Sequence, residues 1–305
     1  MTIETVRMKT ADGGCIKGEI HLHQAPAATV VVHGATGVPM GYYRKFAAWL
    51  GNHHQCHVLI YAYRDSDLKA PQKLRASRVS MSDWGVDDQT AALEYMLGNY
   101  PHLPLHTIGH SLGGMCLPFH EQANRVATHT AVNAGPAYWK DHPLWFMPQV
   151  IMFWFLLGPL ATRLFGYFPG KLIGLKSDLP ANVYWQWRRW CTNPSFYEVD
   201  WGKKINRPEP GRIAVPVHLV STSDDHMIPP FKVQQLARYF PDALTSYTCI
   251  EPTYLGLKEV GHIGIFSSRN RDIWPILAKQ VSNSIRKFPL TKGQNRSRFQ
   301  PIRNM

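Results

Sequence analysis

Polar and apolar residues alternate near the start of the chain, and short unbroken apolar runs follow further along. Residues 6–9 and 16–20 alternate on either side of the sequence Ala-Asp-Gly-Gly, which predicts a β-hairpin closed by a tight turn. The later apolar runs are typical of strands buried in a parallel sheet. They are residues 28–32, 58–61, 105–108, 126–132 and 215–220, and a further strand is expected near 246–251.

Helical spacing of apolar residues appears between these strands. It predicts helices over 41–51 and 83–98, and helices are also expected near 230–239 and 272–287, whereas the polar, basic segment 64–80 is expected to be a loop. Strands that alternate with helices predict an α/β fold with a mostly parallel central sheet, flanking helices and right-handed crossovers.

Composition excludes several classes of protein. The 305 residues are 45% hydrophobic and 18% charged, which excludes intrinsic disorder over most of the chain as well as collagen-like sequence. Five widely spaced cysteines without a C-x-x-C pair argue against a disulfide framework and a zinc ribbon. The first residues contain no apolar run, so we expect no signal peptide and a reducing, cytoplasmic location.

The net charge of +12 is unevenly distributed. Residues 286–305 contain six basic residues and no acidic one, and residues 289–305 are interpreted as a flexible, solvated basic tail. Attachment of this tail to nucleic acid or anionic lipid is the alternative interpretation. The body of the chain contains no nucleic-acid motif, so no nucleic-acid partner is expected.

An insertion at 134–212 differs in composition from the rest, which forms a core of residues 1–133 and 213–288. Seven of the ten tryptophans lie in this insertion, and residues 142–162 contain no Asp, Glu, Lys or Arg. Three prolines divide the apolar stretch into pieces too short to cross a bilayer. The sequence therefore predicts a helical, aromatic cap over an acyl pocket, with peripheral membrane contact and a spanning helix as the alternatives.

The segment Gly-His-Ser-Leu-Gly at 109–113 lies between an apolar strand and an expected helix. Glycines two residues before and after the apex permit a tight turn, which exposes the hydroxyl of Ser111 above the sheet edge. The helix that follows directs backbone N–H groups to the same place, so the amide of Leu112 is a candidate oxyanion donor.

A serine hydroxyl needs a base that is itself held by an acid. His262 lies in a glycine-flanked loop before the last helix, and Asp224 and Asp225 compete for the acid role in the loop after the strand at 215–220. Asp225 is preferred because it lies four residues before Pro229. The backbone of Ala35, after the strand at 28–32, is expected to supply the second oxyanion N–H.

Further residues are candidates for the substrate pocket or for a metal site. The pocket candidates are Thr36, His110, Tyr43, Trp154 and Trp185. His21 and His23 are spaced to share one strand face, as metal ligands require, but no third ligand is evident. We expect neither a metal nor a cofactor.

These motifs resemble the α/β-hydrolase fold, and more closely a bacterial subgroup of predicted α/β hydrolases related to serine aminopeptidase-like hydrolases. The carrying segments are His-Gly-Ala-Thr-Gly-Val-Pro at 33–39 with Tyr42 and Tyr43, Ser-Asp-Trp-Gly at 82–85, 109–114, 158–170, the loop at Asp224 and Asp225, and 256–262. The fold places the acid and then the histidine after the serine along the chain, which is the order found here. The resemblance implies a serine hydrolase without identifying its substrate.

The sequence therefore predicts a hydrolase of esters, with thioesters or amides as alternatives, that forms an acyl-enzyme on Ser111. A small-molecule ester with an apolar acyl or alkyl group is the expected substrate. Two other hypotheses remain open, namely an acyltransferase with the same three residues and a non-catalytic binding protein on the same fold.

Overall fold

An eight-stranded sheet forms the centre of the protein, for which a computed structural model describes residues 1–209, 211 and 213–287. The spatial order is β1-β2-β4-β3-β5-β6-β7-β8. The strands are β1 (Thr2–Lys9), β2 (Cys15–Leu22), β3 (Ala28–His33), β4 (Cys56–Ala62), β5 (Leu105–His110), β6 (Val126–Val132), β7 (Val217–Thr222) and β8 (Thr245–Ile250). β2 pairs antiparallel with both β1 and β4, and all other neighbours are parallel. The predicted hairpin and mostly parallel sheet are confirmed.

Both faces of the sheet are buried, and successive residues of its central strands point to opposite faces. Val31 and Leu59 belong to one hydrophobic cluster, whereas Val30, Val58 and Ile60 belong to the other. All six residues of β3 are buried. This two-sided burial explains why the central strands are unbroken apolar runs in the sequence.

Helices cover both faces and connect the strands. The α-helices are α1 (Arg44–His54), α2 (Pro71–Ala76), α3 (Gln89–Asn99), α4 (Leu112–Met115), α5 (Met147–Ile151), α6 (Leu157–Phe165), α7 (Ala181–Cys191), α8 (Pro230–Gln235), α9 (Gly261–Gly264), α10 (Trp274–Leu277) and α11 (Lys279–Lys287). π-helical turns at Asp83–Asp88 and Met152–Leu156 lead into α3 and α6. Short 3₁₀ turns are Met40–Tyr43, Leu117–Phe119, Ala123–Arg125, Trp139–Asp141, Gly170–Ile173, Phe196–Asp200, Leu236–Tyr239, Pro252–Leu255 and Ser268–Ile273.

The segment 64–80 differs from its expected loop conformation because it contains α2. Pro71 occupies the first turn of α2, where the missing N–H of proline leaves no helical hydrogen bond unmade. Leu74 is the buried residue of this short helix. A single buried side chain gives no apolar periodicity, so the sequence did not predict α2.

The segment between β6 and β7 is helical and rich in ring contacts. Phe168 stacks on Tyr184 with ring centroids 4.3 Å apart, and the indoles of Trp154 and Trp187 meet edge to face at 5.0 Å. The hydroxyl of Tyr184 donates to the carbonyl oxygen of Phe153 at 3.0 Å. These contacts hold the π-helical turn at Met152–Leu156 and the residues that follow α6 against α7. The boundaries 134–212 stay a prediction, and the expected tail at 289–305 lies outside the described residues.

Candidate active site

Ser111 occupies a sharp turn between β5 and α4. Its backbone angles are φ 54° and ψ −117°, in a region that residues with a side chain rarely adopt. A Cβ atom on Gly109 would lie 2.2 Å from the carbonyl oxygen of Gly113, and one on Gly113 would lie 2.3 Å from the carbonyl oxygen of His33. Neither position has room for a side chain. The two glycines are therefore what permits the turn that the sequence predicted.

His262 is held at one ring nitrogen by a buried carboxylate. Its Nδ1 lies 2.7 Å from Oδ2 of Asp225, which is 1% exposed. The other oxygen, Oδ1, accepts the backbone N–H groups of Met227 and Ile228, each at 2.9 Å. A carboxylate so placed accepts a hydrogen from Nδ1 of His262 and leaves the lone pair of a neutral ring on Nε2.

The neighbouring carboxylate, Asp224, has a different task. It accepts the backbone N–H of Val260 at 2.7 Å and that of Gly261 at 3.0 Å. Asp224 thus holds the backbone that precedes His262, whereas Asp225 holds the ring. The geometry places Asp225, the preferred of the two candidates, next to the histidine.

Asn133 also holds the histidine loop, and the sequence did not reveal it. Its Nδ2 donates to the carbonyl oxygens of His262 and Gly261 at 3.2 and 3.3 Å, and its Oδ1 accepts the N–H of Thr222 at 3.0 Å. Asn133 has a positive φ of 45° and directly follows β6. The sequence signal that could have identified Asn133 is its position as a polar residue at the carboxyl end of a parallel strand.

His110 and Tyr43 lie beneath the site and do not line its cavity, which corrects their assignment as pocket residues. Nε2 of His110 lies 2.9 Å from the carbonyl oxygen of His262, which can only accept, so this nitrogen carries the hydrogen. Nδ1 of His110 therefore accepts from the Tyr43 hydroxyl at 2.9 Å. Burial lowers the pKa of His110 well below its usual value and raises the pKa of Tyr43, so both groups are uncharged.

The same contacts change the assignment of the second oxyanion donor. The N–H of Ala35 donates to the Tyr43 hydroxyl at 2.8 Å, and Ala35 is 3% exposed. That N–H is thus occupied and does not face the cavity in this structure. Thr36, the next residue, does line the cavity. The sequence motif around Ala35 could not show that the hydroxyl of Tyr43, eight residues further along the chain, accepts this N–H.

A cavity of about 470 Å³ extends between the side chains of Ser111 and His262. Ser111, Leu112 and His262 line it together with residues from the helical segment between β6 and β7. Its polar lining residues are Thr36, Ser111, His142, Gln149, Lys176 and His262. Its large apolar ones are Val38, Met81, Leu112, Met115, Phe146, Val150, Phe153, Trp154, Leu175, Trp187, Trp190, Phe196, Met227, Ile228 and Ile263.

Two of the remaining pocket candidates, Thr36 and Trp154, line this cavity, and Trp185 does not. Trp185 lies at a separate surface depression beside Arg189, and the guanidinium of Arg163 lies 5.2 Å from the centre of its ring. On α7 it is Trp187, two residues later, that faces the cavity. Helical periodicity alone could not show which indole of this aromatic run points inward.

One group of acidic residues has the spacing of metal ligands. Oxygen atoms of Asp12, Asp83 and Asp87 lie within 4.8 Å of one another. Arg64 pairs with Asp12 at 2.6 Å, and Lys204 pairs with Asp83 and Asp87. Each of these carboxylates is already paired with a cation, so the group is an ion-pair network. It lies apart from the cavity-lining residues.

Comparison with known proteins agrees with this architecture. The model of the alpha/beta hydrolase family matches residues 29–273, and no curated protein gives a significant match. The esterase domain of a Rhodothermus marinus protein superposes with a TM-score of 0.55 at 14% identity, covering 94% of this chain and 99% of that one. A Pyrococcus furiosus esterase gives 0.55 at 12% identity, covering 92% and 90%. A Thermogutta terrifontis esterase gives 0.52 at 13% identity, covering 93% and 98%.

Similarity at these identities shows the fold, whereas the family match extends over most of the sequence. That match does not distinguish the subgroup expected from the motifs, which stays a prediction. It does include the serine turn and the loops of Asp225 and His262. The chain belongs to the alpha/beta hydrolase family.

Proposed function

We propose that the protein is a serine hydrolase that cleaves an ester carrying an apolar acyl or alkyl group. The observation that carries this proposal is the arrangement of three side chains. Ser111 projects from a strained turn into the cavity that His262 also lines, and a buried Asp225 fixes the ring of that histidine. Nucleophile, base and orienting acid in this relation are the elements of acyl transfer.

The proposed reaction begins with a proton transfer. Nε2 of His262 takes the proton of Ser111, and Oγ of the serine attacks the carbonyl carbon of the ester. The carbonyl π electrons move to oxygen and form a tetrahedral oxyanion. Asp225 stabilises the imidazolium that has formed, while its two backbone donors keep the carboxylate in place.

Collapse of the oxyanion breaks the bond to the leaving alcohol, which takes the proton from His262. The acyl group is then on Ser111. A water molecule gives its proton to His262 and attacks the same carbon, and the second collapse returns Ser111 and releases the acid. The backbone N–H of Leu112, at the start of α4, is the proposed oxyanion donor. Thr36 is the candidate for the second, because the N–H of Ala35 is engaged by Tyr43.

The cavity supports an apolar acyl or alkyl group as the substrate moiety. Its volume of about 470 Å³ lies within the range of small-molecule sites, and most of its lining side chains are aliphatic or aromatic. Transfer of an alkyl chain into such a lining is favourable by about 0.8 kcal/mol per methylene. We therefore expect kcat/KM to rise with acyl length until the cavity is filled.

Hydrolysis of p-nitrophenyl esters of increasing acyl length tests the proposal. Wild type is measured beside Ser111→Ala, and Ser195→Ala, an exposed serine on the helical segment, serves as the matched control. We expect activity with a chain-length optimum in wild type and in Ser195→Ala, and none above background in Ser111→Ala. Equal activity in Ser111→Ala would contradict the proposal.

The same assay separates the other hypotheses. An acyltransferase would release acid slowly in water and would form a new ester when an alcohol acceptor is added, still through Ser111. A non-catalytic binding protein would turn over no ester, and Ser111→Ala would bind its ligand as wild type does.

A further inference from the structure

The helical segment that covers the cavity exposes a continuous row of large apolar side chains. We call it the apolar stripe, and it comprises Trp145, Ile151, Met152, Phe155, Leu160 and Leu164. The last two are 60% and 76% exposed. Ile151 and Phe155 are four residues apart, as are Leu160 and Leu164, so each pair lies on one face of its part of the helical stretch. Leu156 and Leu157, which lie between the two pairs along the chain, are 53% and 44% exposed. Soluble monomers rarely expose a contiguous apolar row of this length.

The opposite side of the same helical segment is fixed to the protein. Val150, Phe153 and Trp154 line the cavity, and Gly158 is so close to Tyr184 that a Cβ atom there would lie 2.1 Å from the tyrosine hydroxyl oxygen. Among the described residues, Met147–Phe165 is the one helical stretch that is long and apolar enough to span a bilayer. If this stretch crossed a bilayer, Trp154, which is 6% exposed here, would lose the residues that it packs against. The packing therefore favours a helical segment that stays on the protein and presents only its outer face.

Charge around the stripe indicates what it contacts. Residues 142–190 contain five basic residues and one acidic residue. Arg163 is exposed on α6 directly before Leu164, and Arg188 lies 5.4 Å from the centre of the Phe155 ring. A second copy packed stripe against stripe would add its own excess of basic residues to the same region, and like charges at an interface are unfavourable. Anionic lipid headgroups offer the opposite charge beside an apolar layer, which suits a helix with this composition.

We propose that the apolar stripe binds the interface of a lipid bilayer that contains anionic lipids, with α5 and α6 lying in the plane of the membrane. The apolar side chains enter the acyl boundary, and the basic residues pair with headgroups. The face that lines the cavity remains on the protein side. Binding of this kind does not depend on ester cleavage, so it can succeed or fail separately from the proposed function.

Sedimentation with sucrose-loaded vesicles tests this surface. The full-length protein is mixed with phosphatidylcholine vesicles that contain either no anionic lipid or roughly one-third phosphatidylglycerol. We expect binding to the anionic vesicles that weakens as salt is added. The double variant Leu160→Ser/Leu164→Ser should lose about tenfold or more of the binding constant, because each leucine carries apolar area into the interface.

Leu244→Ser is the matched control. Leu244 is also 76% exposed, but it lies just before β8, outside the helical segment that carries the stripe. It should bind vesicles as wild type does, and Ser111→Ala should do the same. Absence of binding by wild type, or equal binding by the double variant, would overturn the proposal. A concentration-dependent dimer in lipid-free solution that the double variant abolishes would assign the stripe to a second copy and would also overturn it.

Discussion

Two regions enclose the cavity, and they are held by different kinds of contact. The base comprises the loop of His262 and the residues that hold it, and the cover is the helical segment between β6 and β7. At the base, the loop that carries His262 donates backbone hydrogen bonds to Asp224 and accepts hydrogen bonds from Asn133 and His110, and each contact is buried or partly buried. In the cover, aromatic rings such as those of Trp154 and Trp187 make many of the contacts, and one face exposes large apolar side chains.

This difference assigns different roles to the two regions. Hydrogen bonds have narrow distances and angles, so they can hold reacting atoms in one arrangement. Contacts between aromatic rings are favourable over a range of separations and relative orientations. The rings that line the cavity can therefore adjust to acyl chains of different length. We therefore expect substitutions in the base to change kcat, and substitutions in the cover to change substrate preference.

The largest expected effect separates the two adjacent aspartates of the base. In Asp225→Asn, His262 loses the acceptor that fixes its Nδ1 hydrogen, and kcat/KM should fall about 10³–10⁴-fold. Asp224→Asn retains one acceptor oxygen for the backbone of Val260 and Gly261, so its loss should be about tenfold or less. Steady-state hydrolysis of one p-nitrophenyl ester measures both. A larger loss in Asp224→Asn would reverse the assignment.

Asn133→Asp tests whether backbone positioning controls the histidine. The carboxylate still accepts the Thr222 N–H, but it faces the carbonyl oxygens of Gly261 and His262 without a hydrogen to donate. We expect kcat to fall about 10–100-fold with a smaller change in KM, and the pH dependence of kcat to shift. Asn182→Asp, an exposed asparagine on α7, is the control and should behave as wild type. Equal kinetics in both variants would contradict this role for Asn133.

Of two neighbouring indoles in the cover, Trp187 should control substrate preference and Trp185 should not. Trp187→Ala enlarges the cavity, so the acyl-length optimum should move to longer or bulkier chains, and kcat/KM for the original best ester should fall about tenfold. Trp185→Ala removes an indole that does not line the cavity and should keep the optimum. Chain-length profiles of the two variants make the measurement. A shifted optimum in Trp185→Ala alone would show that the cavity assignment of the indoles is wrong.

The last prediction concerns stability in acid, to which buried histidines of the central sheet contribute. Burial lowers the pKa of His106 in β5 and of His129 in β6 to about 4. The unfolded chain binds these protons nearer pH 6.5, so stability is complete above that pH and is lost as the pH falls toward 4. Each histidine contributes a slope of up to about 1.4 kcal/mol per pH unit. Urea unfolding at pH 7.5 and pH 5 measures this loss, and a midpoint that does not change would contradict it.

The sequence predicted much of the sheet because its signals are local. Apolar runs identify the central strands, and two glycines around Ser111 identify the turn, since neither feature depends on distant residues. The helix α2 was missed because its six residues bury one apolar side chain, Leu74. Its proline at the first helical turn was the available signal.

The ring and amide contacts of the site could not be predicted in the same way. Tyr43 reaches His110 across 67 positions of the sequence, and Asn133 reaches His262 across 129. Such partners become visible only when the strands are in register. The Ala35 donor was assigned from its motif alone, and the Tyr43 hydroxyl that engages it is a tertiary contact.

Labelling with an alkyl fluorophosphonate tests the central claim most directly, because the reagent reacts preferentially with a serine that an adjacent base activates. After incubation, the labelled peptide is identified by mass spectrometry and the remaining esterase activity is measured. We expect one phosphonyl group per chain on Ser111, parallel loss of activity, and strongly reduced labelling in Asp225→Asn. Label on another residue, or an active protein whose Ser111 remains unmodified, would contradict the assignment of Ser111 as the nucleophile.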